Sequence, residues 1–152
     1  MIKKALIIFS ILLFSCINVY GKQYKSIEIF DINKNNVIKN IESSSEIEKQ
    51  VKNYLQNIKG IYGKFNPIPD KGYMIKIPLD TPIAIQNTWI SSFIDEVIMI
   101  FPENEPPYLM VLDNEERSIF LSFNGDTNTL LKYLNFNAKN SITLSDFKLK
   151  ST

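Results

Sequence analysis

Residues 96–123 read EVIMIFPENEPPYLMVLDNEERSIFLSF, and this run decides the fold. It holds three short segments rich in β-branched and aromatic residues, Glu96 to Phe101, Tyr108 to Leu112 and Ser118 to Phe123. They are separated by Pro102-Glu103-Asn104-Glu105-Pro106-Pro107 and by Asp113-Asn114-Glu115-Glu116. Short polar connections between consecutive strands make an antiparallel meander. The last strand alternates, with Ile119, Leu121 and Phe123 inward and Ser118 and Ser122 outward. The two before it, VIMIF and YLMVL, are apolar on both faces, so something covers both sides of the sheet. A helix serves for one side. The other is left to the Trp89 segment, to the stretch after Asn137, or to a partner or ligand.

Upstream, Ser26 to Asn33 (SIEIFDIN) reads as a strand and turn, with Val37 to Ile41 as its return strand. Ser45 and Glu48 then form a capping box. Ile47, Val51, Tyr54, Leu55 and Ile58 follow at helical spacing, and Gly60 is expected to close the helix as a left-handed cap. Gly63, just after Gly60, with Pro67 and Pro69 makes residues 61–70 a loop. Gly72 to Leu79 is a strand, placed by Pro78 at an edge or near its own end. Residues 80–94 fit no single pattern. Asp126 or Thr127 can cap a short helix from Thr129 to Asn135, and Ile142-Thr143-Leu144 could add an edge strand. The expected fold is α+β: an antiparallel β-sheet meander of about five strands packed against one main helix and a short C-terminal helix.

The first residues carry a different message. Lys3 and Lys4 precede an almost unbroken apolar stretch from Ala5 to Ile17, the layout of a secretory signal. As a helix that stretch spans roughly 20 Å, short of the ~30 Å hydrocarbon core. Leu13-Phe14-Ser15-Cys16 then resembles a bacterial lipobox, with the only cysteine of the chain at its end. Taken with the strand-turn-strand, the helix and the meander, the layout resembles small uncharacterised lipoproteins of clostridia and related Gram-positive bacteria. The resemblance implies diacylglyceryl transfer to Cys16 and cleavage after Ser15. Residues 1–15 would then be the signal peptide, 16–24 a tether and 25–152 a single α+β domain. Cleavage after Gly21 is the alternative and would release a soluble protein. The expected location is the outer face of the cell membrane, with secretion as the alternative.

Composition narrows the chemistry. The 152 residues contain no histidine, which removes Ser-His-Asp and Cys-His catalysis and histidine metal sites. There are 17 basic and 16 acidic side chains. Loss of Lys3 and Lys4 leaves 15 against 16, no field for nucleic acid. With 24 Ile, 16 Asn and 16 Lys, runs of Asn arise cheaply and discount any motif built on them. That discount applies to Asp31-Ile32-Asn33-Lys34-Asn35-Asn36-Val37-Ile38-Lys39-Asn40-Ile41-Glu42, which is spaced like an EF-hand loop. It has Asn36 where the sharp turn calls for glycine and reads as a β-turn. Asp113, Glu115, Glu116 and Asp95-Glu96 are the acidic groups that could pose as a glycosidase pair, but they read as a solvated turn and a strand start. Asn124-Gly125-Asp126 reads as a turn into a helix.

Tyr62, Phe65, Tyr73 and Trp89 lie in or beside loops and are the candidates for an exposed ligand platform, with Pro106-Pro107-Tyr108 as a rigid lip. No metal and no cofactor is expected. The first functional expectation is a membrane-tethered, non-enzymatic domain that binds a protein or peptide. The second is a sugar- or amphiphile-binding module using those aromatics. A carboxylate hydrolase ranks last.

Overall fold

The computed structural model describes residues 25–138. The expected signal, Cys16, the expected tether and the expected Ile142–Leu144 strand lie outside that range. Within it the chain forms β1 (Ser26–Asp31), β2 (Asn36–Glu42), α1 (Ser45–Gln56) and β3 (Ile58–Ile61). These are followed by β4 (Gly72–Gln86), β5 (Ser91–Pro102), β6 (Tyr108–Leu112), β7 (Ser118–Phe123) and α2 (Asn128–Tyr133). The seven strands make one sheet, ordered β2-β1-β4-β5-β6-β7-β3, and every neighbouring pair is antiparallel. The α+β class and the meander are as expected, with more strands than the expected five.

Alternation along each strand divides the sheet into two faces. Register places Ile29, Ile75, Met99, Leu109 and Leu121 in one row, with Val97 beside Ile77 and Val111. These residues form one buried cluster with Ile47, Val51, Tyr54 and Leu55 of α1 and Leu130, Leu131 and Leu134 around α2. Both helices therefore cover this first face. Lys39, on edge strand β2, donates to the carbonyls of Leu134 and Asn135 at 3.0 and 2.8 Å, tying the end of α2 to the sheet.

Helix α1 starts one residue earlier than expected. Ser44, with extended backbone, is the cap, and its hydroxyl accepts from the Ile47 N–H at 3.4 Å. Three consecutive serines offer equivalent oxygens, so spacing alone could not choose among them. Glu48 does not close a capping box but accepts the backbone N–H of Asp80 at 3.1 Å. Replacing Ser44 by alanine should cost about 0.5–1 kcal/mol in chemical unfolding, and Ser45→Ala almost nothing. Equal losses would mean that the cap is shared.

The helix also ends sooner. Asn57 turns the chain, its N–H reaching Tyr54 O at 3.0 Å and its side chain donating to Asn53 O at 2.8 Å. Ile58 and Gly60 then belong to β3, not to the helix and its cap, because the outer edge of β7 takes them up (Ile58↔Phe123, Gly60↔Ser122). Pro78 does not mark an edge, since β4 lies between β1 and β5. Its missing N–H is tolerated because the β1 ladder runs only to Glu28↔Lys76 and the β5 register slips just after Pro78.

Residues 80–94 turn out to be the distal arm of the β4–β5 hairpin. Its Ile85, Ile90 and Ile94 join the same buried cluster as the helices, so the arm folds in on the first face. Asn114 holds its flank, accepting from the Ser92 hydroxyl at 2.8 Å and the Phe93 N–H at 3.1 Å. Trp89, at the tip, lies over Gly60, where an added Cβ would meet the indole at 3.7 Å. The Trp89 segment thus covers the helix side of the sheet and leaves the other side to different cover.

That second face carries Phe30, Met74, Ile98, Ile100, Tyr108, Met110 and Phe120, bounded by the Glu28–Lys76 ion pair at 2.9 Å. Ile100 and Tyr108 are buried, at 0% and 2% exposure, yet lie outside the helix-side cluster. The other five are half-buried. Among the described residues, no helix covers this face, and no helix is long and apolar enough to cross a membrane.

Candidate functional site

An antiparallel sheet sends alternate connections to the same end. The β1–β2 turn (32–35) and the β5–β6 connection (102–107) therefore gather beyond the row Asp31–Tyr73–Phe101, and residues 62–71, which leave β3 beside Phe120, run back to join them before β4 opens at Gly72. Five of the seven prolines lie in or beside these loops, at 67, 69, 102, 106 and 107, and give them stiff walls. Between them runs a groove of about 630 Å³ lined by Lys64, Pro67, Pro69, Lys71, Pro102 and Glu103. A second groove of about 430 Å³ shares Pro102 and Glu103 and continues to Asn33, Tyr73, Phe101 and Ala138.

A tyrosine latch holds the 62–71 loop down. The Tyr62 ring stacks on Tyr108 with centroids 3.8 Å apart and planes 12° apart. Its hydroxyl donates to Glu105 at 2.6 Å, Lys64 pairs with the same carboxylate, and the Tyr108 hydroxyl donates to Pro67 O. Burial, and then the Glu105 charge, push the Tyr108 hydroxyl up to about 12. It remains a donor throughout the neutral range. This loop is what buries the Tyr108 end of the second face.

Lys64, followed by Tyr62, holds the Glu105 carboxyl below the usual carboxylate range. A carboxyl with a lower value folded than unfolded stabilises the fold while ionised. Its contribution is complete above the unfolded value near ~4.3 and fades as pH falls through the lowered folded value. Glu105→Gln should therefore unfold at lower urea than the parent at pH 7, and the two curves should converge as pH falls through the lowered folded value. A constant gap from pH 7 to pH 3 would show that the latch does not depend on the carboxylate.

The four aromatic residues singled out in the sequence occupy separate places. Tyr62 belongs to the latch. Phe65, between two groove residues, points fully into solvent at 101% exposure. Tyr73 lines the second groove and meets Phe136 edge-on at 5.0 Å. Trp89, 46% exposed, sits before β5, whereas the grooves lie at the strand's other end. No ring pair among the described residues joins two of the four. Sequence reading missed Glu105 and Lys64, although the Pro106-Pro107-Tyr108 lip pointed to their neighbourhood.

The remaining patterns have structural employment. In the EF-hand-like run, Asp31 Oδ1 accepts the Lys34 N–H at 3.1 Å and Asn33 Oδ1 accepts the Gly72 N–H at 3.0 Å. Glu42 pairs with Ser26, at the other end of the hairpin, roughly 20 Å away at ~3.3 Å per residue. No group of three potential metal-ligating side chains occurs among the described residues. Asp113 accepts the N–H groups of Glu115 and Arg117, both at 2.9 Å, and the Arg117 Nε at 2.8 Å. The Arg117 N–H first, then its guanidinium, hold that carboxyl low. Among the described residues, the carboxylates displaced from their ordinary range, Glu46, Glu105 and Asp113, are displaced downwards, opposite to what a general acid needs. Compared with known proteins, the chain matches no family model, no curated protein and no solved structure.

Proposed function

We propose that the chain is a lipid-anchored extracytoplasmic domain that binds a protein or peptide partner and catalyses no reaction. The observation that carries the binding part is the second face of the sheet. Phe30, Met74, Ile98, Met110 and Phe120 form a continuous apolar strip across five strands, while both helices lie on the other side. A contiguous apolar surface rimmed by charge is the ordinary anatomy of an interaction site. The anchor is supported by the apolar leader, by the lipobox-like Leu13 to Cys16, and by the resemblance in layout to small lipoproteins of Gram-positive bacteria.

Two measurements test the two parts. Cys16→Ala should move the protein from the membrane fraction to the soluble fraction or block its processing; unchanged fractionation would remove the anchor. A photo-crosslinking residue at Met110 should give, in intact cells, an adduct of defined mass that is absent when it stands at helix-surface Lys49. Identical patterns at both positions would remove the partner face. The 630 Å³ groove favours a second reading, a small-ligand module at the loop end.

A further inference from the structure

We infer that the groove at the loop end of the sheet binds a neutral oligosaccharide. The inference rests on the small-ligand reading of that groove and does not depend on the partner face. The walls of the groove, residues 62–71 and 102–107, are sewn together before any ligand arrives. The Glu103 N–H donates to Lys71 O at 3.3 Å, the Tyr108 hydroxyl donates to Pro67 O, and Glu105 joins Tyr62 and Lys64. Pro67, Pro69 and Pro102 stiffen the same walls, so binding need not order the loops.

The groove presents hydrogen-bonding groups without a strong field. Asn66, Asp70, Lys71, Glu103 and Asn104 line it, and their side chains make no hydrogen bond or ion pair among the described residues. Lys64 and Glu105, by contrast, engage each other. The amides both donate and accept, the carboxylates accept and the ammonium donates. A hydroxyl, itself donor and acceptor, can satisfy each of them. The free charges are Asp70 and Glu103 against Lys71, so a phosphate or carboxylate ligand would meet more acid than base. Aromatic faces stand at both ends. Phe65, between Lys64 and Asn66 in sequence, is fully exposed. Tyr73 lines the 430 Å³ groove that shares Pro102 and Glu103 with the first. The C–H faces of a sugar ring are weakly positive and lie against the negative face of an aromatic ring. Two such rings along a joined path suit a chain of sugar units more than a single one.

The full-length chain, labelled and kept in detergent, can be applied to an array of neutral, amino-bearing and acidic glycans. Neutral glycans should retain it, and raising the salt from millimolar to molar should change little, because no ion pair is formed with the ligand. Phe65→Ala and Asn104→Ala, both at exposed positions where folding is not at risk, should each weaken retention about tenfold. Phe93→Ala, which removes an exposed aromatic from the β4–β5 arm, should leave it unchanged. Retention by acidic glycans alone, or its loss in molar salt, overturns the neutral assignment while keeping the groove as a ligand site. Retention that neither groove variant weakens overturns the groove as well. Retention by no glycan overturns the inference and leaves the Met110 crosslinking result, and with it the partner reading, standing on its own.

Discussion

Replacement of Gly72 by alanine should destabilise the fold by about 4 kcal/mol, among the largest losses available to a single methyl group here. Gly72 opens β4 with φ at +127°, a conformation that side chains rarely adopt. A Cβ there would stand 2.1 Å from Phe101 O and 3.0 Å from Pro102 Cα, both backbone atoms of the partner strand. Neither can swing aside as a side chain would. The same residue anchors the β1–β2 turn, donating to Asn33 and accepting the Ile32 N–H at 3.0 Å, so relief by moving the strand would break those bonds. Gly63→Ala is the control, since nothing lies within 4 Å of its added Cβ. Urea unfolding should separate the two variants widely; similar midpoints would mean that the β4–β5 register is softer than its pairing implies.

Tyr54→Ala should cost about 4 kcal/mol, with Tyr54→Phe losing only about 1. The ring is completely buried, tilted against Phe123 with centroids 4.8 Å apart. Its hydroxyl donates to Asp126 O at 2.8 Å. Gly125 closes over the same ring, and a Cβ there would reach Tyr54 Cδ1 at 2.7 Å. One side chain therefore joins α1, the end of β7 and the approach to α2. Thermal or urea unfolding of both variants apportions the loss between ring and hydroxyl. A Phe variant as damaged as the Ala variant would put the weight on the hydrogen bond instead of the packing.

What could be read in advance follows from how local the physics was. Three meander strands and the buried stripe Ile47, Val51, Tyr54, Leu55 were legible because periodicity over a few residues decides them. The helix end was not, because Asn57 and Gly60 answer to an edge of β7 more than sixty residues away. The arm over residues 80–94 was opaque for a related reason. It changes its buried face between Ile94 and Val97, where the β4 register slips, so no single period runs through it. At the grooves, the prolines announced a loop end, but the Glu105 contacts with Tyr62 and Lys64 span about forty residues and left no local trace. The two-sided hydrophobicity of VIMIF and YLMVL calls for cover on both faces; the helices supply it on the first, and the 62–71 loop does so only over the Tyr108 end of the second.

The strand directions have a mechanical corollary. β1 enters the sheet at Ser26, and the row of Asp31 borders the grooves, so the chain comes in at one end and the loops stand at the other, roughly 17 Å away at ~3.3 Å per residue. Eight residues, 17–24, separate Cys16 from Lys25, and the nine steps between those two positions reach at most ~32 Å. A lipid on Cys16 would therefore act as a short leash fastened at the domain's foot, with the proline-walled grooves as its far end. Whatever those grooves take hold of would have to pass within a few nanometres of the bilayer, in a shell where a tethered binder keeps its local concentration high.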